Sequence, residues 1–464
     1  MFLAEQIALI TGGTLSGDGA TRVSGPAVLD SRKVQEGSLF VALAGEHSDG
    51  HDFAATAIDN GAALVLGSRA IAGLPMVVVP DVQLALGQIA KQHLINLRAA
   101  GDLKVIAITG SVGKTTTKDL IGQVLSQYGA TVVPAGSLNN ELGLPLTVLT
   151  ATAETRYLVV EMGASAPGDL TYLTSIAPPD VATVLVVGQA HLGGFGGIED
   201  VARTKAELVG GLAPGGIAVL NADDLRVVAM KEHAPGEIIT FGSVRDATFQ
   251  AVNTTIRELG QVSFDVLTSD GSTEHVDLQL VGEHHLTNAL AALASCAAVG
   301  IEISQGAQEL NTAQAISPHR MAVTERDGIT IIDDSYNANP DSMRAALKAL
   351  AVIAGRKRRT IAVLGEMLEL GPDSRAHHDE IGRLVVRLNI SLLVVVGQGA
   401  SGFADGALQE GSWGDEVASV DTVEQAAALL EEELTAGDVV LLKSSNGSGL
   451  WRLADQLVGK AEQK

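Results

Sequence analysis

The stretch Ile108–Thr117, ITGSVGKTTT, decides how this chain is read. It ends as a phosphate-binding loop ends, in glycine, lysine and threonine. The generic pattern G-x-x-x-x-G-K-[ST] places a glycine five positions before Gly113, where this chain has Ile108, so the loop closes in the shorter form G-x-x-G-K-T. Gly110 and Gly113 let the backbone curl so that successive N–H groups, those of Ser111 and Val112 among them, face a polyphosphate at the positive end of the following helix. Lys114 then reaches the β- and γ-phosphates, the Thr115 hydroxyl ligates magnesium, and Thr116 continues the first turn. A glycine turn ahead of a helix cap would use similar letters, so context has to decide. The run LKVIAI before the loop has strand composition, and Leu120, Ile121, Val124, Leu125 and Tyr128 after it recur at helical spacing. A loop joining strand to helix is what a phosphate site requires.

Outward from the loop, short β-branched runs alternate with helical patterns: TVV, YLVVEMG, VATVLVV and IAVLNADD, the rhythm of a parallel sheet with crossover helices. The character breaks near residues 300–320, after LTNALAALASCAAVG. A second α/β series follows with ITIID, IAVLG, LLVVVG and VVLLKS, while LFVAL, ALVLG and MVVVP mark a smaller unit at the start. The expected fold class is therefore α/β in three domains: residues 1–102, a smaller α/β unit; 103–315, a central parallel sheet that carries the P-loop; and 316–464, a second α/β series.

Length and composition agree. A chain of 464 residues exceeds one hydrophobic core, and its 3% of aromatic residues with 52 glycines fits helices packed closely on sheets. With 54 acidic against 31 basic side chains the net charge is -23, which argues against nucleic acid as a partner. An anionic ligand must be held locally, by backbone amides, a few cations and metal ions. The single cysteine, Cys296, cannot form an internal disulfide, and the N-terminus MFLAEQIALITGGTL lacks the basic region of a secretory leader. No window approaches the ~18 apolar residues of a membrane span. A cytoplasmic protein is expected. The basic run Arg356–Arg359 is read as a solvated lead-in to the strand IAVL.

A phosphate-bound magnesium needs a carboxylate, and Glu161, ending YLVVE, falls at the same sheet edge as the loop. His191, in GQAHLGGFGG, lies past VATVLVV on that edge and reads equally as a metal ligand or a structural histidine. Lys205, in RTKAEL, reads by itself as an ordinary exposed helix lysine.

Taken together, TGSVGKTTT, SLNNELGLPLTVL, EMGA, AHLGGFGG with Lys205 fourteen residues after His191, GEHHLTNALAA, DDSYNANPDSM and VLGEMLELG resemble the Mur ligases of peptidoglycan synthesis, whose P-loop has the short form. The resemblance implies an N-terminal domain holding a uridine nucleotide, a central P-loop parallel-sheet ATPase domain and a C-terminal Rossmann-like domain that closes over the site. Within the family, DDSYNANP points to the members that join D-alanyl-D-alanine to UDP-N-acetylmuramoyl-tripeptide. There ATP phosphorylates the terminal carboxylate of the tripeptide, and the dipeptide amine attacks the acyl phosphate. Anion meeting anion requires charge neutralisation and in-line placement more than covalent help.

The resemblance further implies two magnesium ions, the first held by Thr115 and Glu161, the second served by His191 and Lys205. An ammonium cannot ligate a cation, so Lys205 fits there only as a carbamate formed with carbon dioxide. Asn288 matches an adenine contact, and Arg320 and Asp334 match nucleotide contacts from the C-terminal domain. Ser335, Tyr336, Asn337 and Asn339 match the segment near the dipeptide, although DDSYNANP is also an Asx-rich turn before a helix start. Ser31 and Arg32, in LDSRKVQEGSLF, fit the uridine pocket, and Asn139 and Asn140 the sugar-pyrophosphate. A monomer is expected.

Two departures stand out. GASAPGD puts Ser165 and Ala166 where many relatives read GANHPGE, and Lys443–Asn446 reads KSSN where KGSR is familiar, so no contact is assigned to the missing arginine. The nearest alternative is a sister ligase adding a diamino acid to the UDP-dipeptide, but no D-N-P-R element is present. Folylpolyglutamate synthase lacks the first domain, and a GTPase-like switch would carry N-K-x-D, which is absent.

Overall fold

The computed structural model describes residues 2–45, 48–188, 196–257, 260–411 and 416–459. Besides the short antiparallel pair Phe2–Leu3/Arg22–Val23, three sheets of five, nine and six strands follow one another along the chain. The first orders Thr14–Ser16, Met76–Val78, Ala62–Gly67, Ser38–Val41 and Ala27–Val28, parallel except for its first pair. Helix Val82–Ala100, capped by the Asp81 carboxylate on the Leu84 amide, leads from it to the second sheet. On that helix His93 Nε2 lies 2.8 Å from the Ala151 carbonyl, pinning the first unit to the second.

The nine-stranded sheet has Lys104–Thr109 in its parallel part, between Tyr157–Glu161 and Val181–Val184. Its side chains obey the two-residue period of a strand. Val105 and Ala107 pack toward the face covered by helix Val82–Ala100, while Ile106 and Ile108 pack toward helices Lys114–Ser126 and His285–Ala298. Both faces are dry, which is why these strands read as unbroken apolar runs. Glu161 pairs with Ile108 in register, so the carboxylate and the P-loop leave the sheet at the same edge. The sheet takes in the expected run at Ile217–Asn221 and continues beyond the expected elements through Ile238–Gly242 and Phe249–Ile256, then turns antiparallel with Gln261–Thr268 and Thr273–Val281.

The six-stranded sheet opens with the hairpin Ala322–Arg326/Ile329–Asp333. Asp327 and Gly328 turn it with φ of 52° and 77°, the left-handed pair a two-residue hairpin loop demands. Val439–Lys443, Thr360–Gly365, Leu392–Val396 and Val417–Val420 complete the sheet in parallel. The strand ITIID ends at Asp333, one residue before Asp334. Asn339 caps helix Pro340–Ala354 by accepting from the Ser342 amide, with proline in the first turn where no amide is needed. The basic run is not simply solvated. Arg358 donates to the carbonyls of Gly437 and Asp438, and Arg359 pairs with Glu433 at 2.6 Å, so both guanidinium groups fasten the strand edge.

Candidate active site

The P-loop conformation follows from its glycines. Gly113 has φ of 85°, and a Cβ placed on it would stand 2.4 Å from Asn288 Oδ1, so only glycine lets the loop approach helix His285–Ala298 so closely. Lys114 folds back to donate from Nζ to the Gly110 carbonyl at 2.8 Å. Burial lowers its pKa, opposed by the nearby Glu161 carboxylate, and the Arg320 charge lowers it further.

Glu161 is the hub of the loop mouth. It is 1% exposed and accepts from Thr115 Oγ1 at 2.9 Å, from Ser137 Oγ at 3.0 Å and from Asn139 Nδ2 at 2.7 Å. Thr115 Oγ1 and Ser137 Oγ are themselves 3.0 Å apart. Two hydroxyls and one carboxylate converging in this way are an all-oxygen donor set, which fits a hard cation such as magnesium shared with phosphate oxygens. Among the described residues no group of three His, Cys, Asp or Glu side chains could hold a metal, so an ion here would depend on the hydroxyls. Ser137 was not singled out in the sequence. Its only signal was its place two residues before Asn139, in the loop facing Glu161.

The six-stranded unit supplies the opposite wall of a cavity of about 460 Å³. Arg320 lays its guanidinium over the Tyr336 ring, 4.1 Å from its centroid, and donates from Nη2 to Thr115 Oγ1 at 3.2 Å. Its buried Nε has no partner. Lys443, the first residue of KSSN, is 1% exposed and reaches Asp334 at 2.5 Å and the Asn337 carbonyl at 2.9 Å. Burial lowers the Lys443 pKa while Asp334 raises it. The His284 and His285 rings lie 4.1 Å apart between centroids, tilted by 43°, and line the same cavity; burial lowers both pKa values. Neutral His285 accepts from Asn288 Nδ2 at 3.1 Å, fixing the amide that meets Gly113.

A second cleft, of about 940 Å³, adjoins the first, and Lys114 and Asn139 line both. Its walls include Asn140, Ser165, Asp169 and Lys205. Lys205 is not the exposed lysine its sequence context implies. It is 6% exposed, and burial, with the Lys114 charge adding to it, lowers its pKa to about 7. Helix Ile198–Gly210 turns this position inward together with Val201, Leu208 and Val209. Ser165 and Ala166 donate their amides to Asp169 Oδ2, so GASAPGD folds as a capped turn with Ser165 at the cleft.

The structure therefore gathers Ser111, Val112, Gly113, Lys114, Thr115, Thr116, Asn139, Glu161, Asn288, Arg320, Asp334, Tyr336, Asn337 and Asn339 around one cavity. Ser335 does not join them: it is fully buried and its hydroxyl donates to Asp333 Oδ1 at 2.6 Å, closing a local turn. Ser31 and Arg32 lie apart, in the first unit, where Ser31 is buried and the exposed Arg32 pairs with Asp30 at 2.8 Å. His191 lies outside the described residues.

A P-loop at a parallel sheet edge, faced by arginine and lysine from a second nucleotide-type fold, defines an enzyme class that spends a nucleoside triphosphate between two units. The chain belongs to the Mur ligase family: family models match residues 28–94 (Mur ligase family, catalytic domain), 108–296 (Mur ligase middle domain) and 319–446 (Mur ligase, glutamate ligase domain). Its similarity to particular members runs nearly end to end. It is 45% identical to the UDP-N-acetylmuramoyl-tripeptide--D-alanyl-D-alanine ligase of Mycobacterium tuberculosis, covering 98% of this chain and 97% of that one. The Escherichia coli protein of the same name is 37% identical over 80% of each chain. Among solved structures, MurF from Acinetobacter baumannii superposes with a TM-score of 0.87 at 32% identity over 99% of both chains. MurF from Thermotoga maritima in complex with ADP gives 0.78 at 30% identity, over 95% of this chain and 98% of that one.

Proposed function

We propose that this chain uses ATP to join D-alanyl-D-alanine to UDP-N-acetylmuramoyl-tripeptide, giving the UDP-muramoyl-pentapeptide, ADP and phosphate by way of an acyl phosphate. The observation that carries the reading is the position of Lys114 on the shared wall of two cavities. A γ-phosphate held by that ammonium on the nucleotide side faces a carboxylate lodged on the cleft side. The relatives' printed activities supply the identity of the acceptor and the donor.

The chemistry asks the protein to neutralise and align rather than to form a covalent intermediate. Backbone amides from Gly110 to Thr116 hold the phosphates, Lys114 spans the transferring phosphoryl group, and Arg320, kept flat by Tyr336, adds a second cation from the opposite unit. Thr115, Ser137 and Glu161 would hold magnesium, which would supply positive charge against the phosphates. A second ion would be served by His191 and Lys205. With its pKa lowered to about 7, Lys205 is about half neutral near pH 7, and the neutral amine is the form that adds carbon dioxide to become a carbamate ligand. Asn288 and Asp334 belong to the nucleotide, Asn139 and Asn140 to the sugar-pyrophosphate, Ser31 and Arg32 to the uridine, and Tyr336, Asn337 and Asn339 to the dipeptide. The units 1–102, 103–315 and 316–464 divide these tasks in a cytoplasmic monomer.

The test is phosphate release from ATP by purified protein with the UDP-tripeptide, dipeptide present or absent. Release that requires the dipeptide and yields pentapeptide by mass is expected. Release that instead requires a free diamino acid and the UDP-dipeptide would move the reading to the sister ligase.

A further inference from the structure

One turn beyond Lys114, helix Lys114–Ser126 buries a second lysine. Lys118 is 0% exposed, and an ammonium carries three donors. They go to the Pro134 carbonyl at 2.6 Å, the Gly136 carbonyl at 2.9 Å and the Asp119 carboxylate at 3.0 Å. Two of the three thus grip the backbone of one short segment. The residue that follows it is Ser137, whose hydroxyl meets Thr115 Oγ1 and both oxygens of Glu161. A second device brings the same segment onto the helix. Gly122, four residues after Lys118 and therefore on the same face, leaves room for Val133: a Cβ at Gly122 would stand 2.5 Å from Val133 Cγ2. Gly136 then turns the chain with φ of 67°, in the left-handed region that glycine favours. A buried ammonium is costly unless its donors are met, so Lys118 and the 134–136 backbone fix each other.

Resting on the magnesium site of the reading above, we infer that Lys118 is a positioning residue for that ion, holding Ser137 Oγ where it joins Thr115 and Glu161 around the cation. Ser137 is among the described residues that line the nucleotide cavity and Lys118 is not, so Lys118 acts through the serine. Thr115 and Lys118 share one helix, three residues apart, and the clamp ties a hydroxyl from a loop to the frame that carries the P-loop threonine. Magnesium demands near-ideal octahedral geometry, so a hydroxyl that wanders from its place costs affinity. Outer partners that orient metal ligands in this way are worth about 10- to 100-fold in metal binding.

The experiment measures binding, not turnover. Calorimetry on the full chain gives the affinity for β,γ-methylene-ATP in EDTA and in saturating magnesium, for wild type, Lys118→Met, Ser137→Ala, the double variant and Gly122→Ala. K118M should bind the nucleotide in EDTA within about twofold of wild type and in magnesium about 10-fold or more weakly. Added to S137A, the same substitution should cost less than about twofold, because the hydroxyl it positions is gone. Equal loss in EDTA and magnesium, no loss in magnesium, or a full K118M effect on the S137A background overturns the inference. If K118M does not fold, Gly122→Ala decides, since it displaces the segment at Val133 with the ion pair intact: a loss confined to magnesium is expected, and an unchanged ratio overturns the inference. A wild-type protein whose nucleotide affinity is the same in EDTA and magnesium, with Glu161→Gln matching it in both, refutes the magnesium site beneath the inference instead.

Discussion

Methionine in place of Lys205 should stabilise the ligand-free protein near neutral pH, and the gain should fade as pH rises. Lys205 is 6% exposed, and its pKa falls from 10.5 to about 7 because burial disfavours the ammonium and Lys114 repels it. Between those two values the unfolded chain binds more protons than the folded one, so stability rises with pH across that window. The cost of the buried charge is complete below pH 7, where both states are protonated, and is gone above 10.5, where neither is. A lowering of that size corresponds to about 5 kcal/mol at ~1.4 kcal/mol per pH unit. Methionine keeps most of the volume and removes the charge, at a packing change of about 1 kcal/mol. Urea unfolding of wild type and K205M in buffer stripped of carbon dioxide should therefore show the variant several kcal/mol more stable at about pH 6, with the two curves converging toward about pH 10. Curves that run parallel over that range would refute the reasoning, because they would mean that Lys205 stays protonated in the fold, and the case for a carbamate-forming amine would fall with it.

Lys114→Ala removes the ammonium that bonds the Gly110 carbonyl and should lower phosphate release by about 10²–10³ or more in a protein that remains folded by circular dichroism; normal turnover would remove Lys114 from the site. Glu161→Gln keeps the size of the group on which Thr115, Ser137 and Asn139 converge but removes its charge. The magnesium concentration for half-maximal activity should rise by about 10- to 100-fold, and an unchanged requirement would place the ion elsewhere. Lys443→Met breaks a pair whose side chains are 2% and 13% exposed. The stranded Asp334 carboxylate should cost about 3–5 kcal/mol in urea unfolding, and an unshifted midpoint would show the pair to be dispensable.

What the sequence revealed depended on how local the signal was. The P-loop was legible because strand, glycine turn and helix lie within about twenty residues and each needs its own residue types. Glu161 was legible because a carboxylate ending an apolar strand has only the sheet edge to face. Asn288 could be singled out as polar in an apolar run, but its closeness to Gly113 is a tertiary fact. Burial of Lys205 was invisible for the same reason: RTKAEL has the composition of a solvated helix, and only packing against Val201, Leu208 and the sheet shows which face turns inward. The antiparallel strands from Phe249 to Val281 went unseen because their alternation of polar and apolar residues also suits a surface loop. Ser335 misled in the other direction, since an Asx turn and a ligand contact draw on the same small polar residues, and here the turn takes the hydroxyl. Arg358 and Arg359 read as solvated charge because their acceptors, Gly437, Asp438 and Glu433, lie far along the chain.

The most direct test of the account follows one oxygen. The terminal carboxylate of the UDP-tripeptide would be labelled with ¹⁸O and turned over with ATP and D-alanyl-D-alanine, and the phosphate then examined by mass. Because the account has that carboxylate attack the γ-phosphate beside Lys114, it predicts one labelled oxygen in each phosphate released for each pentapeptide formed. Unlabelled phosphate accompanying pentapeptide would contradict the acyl-phosphate route, whatever else the site was then shown to bind.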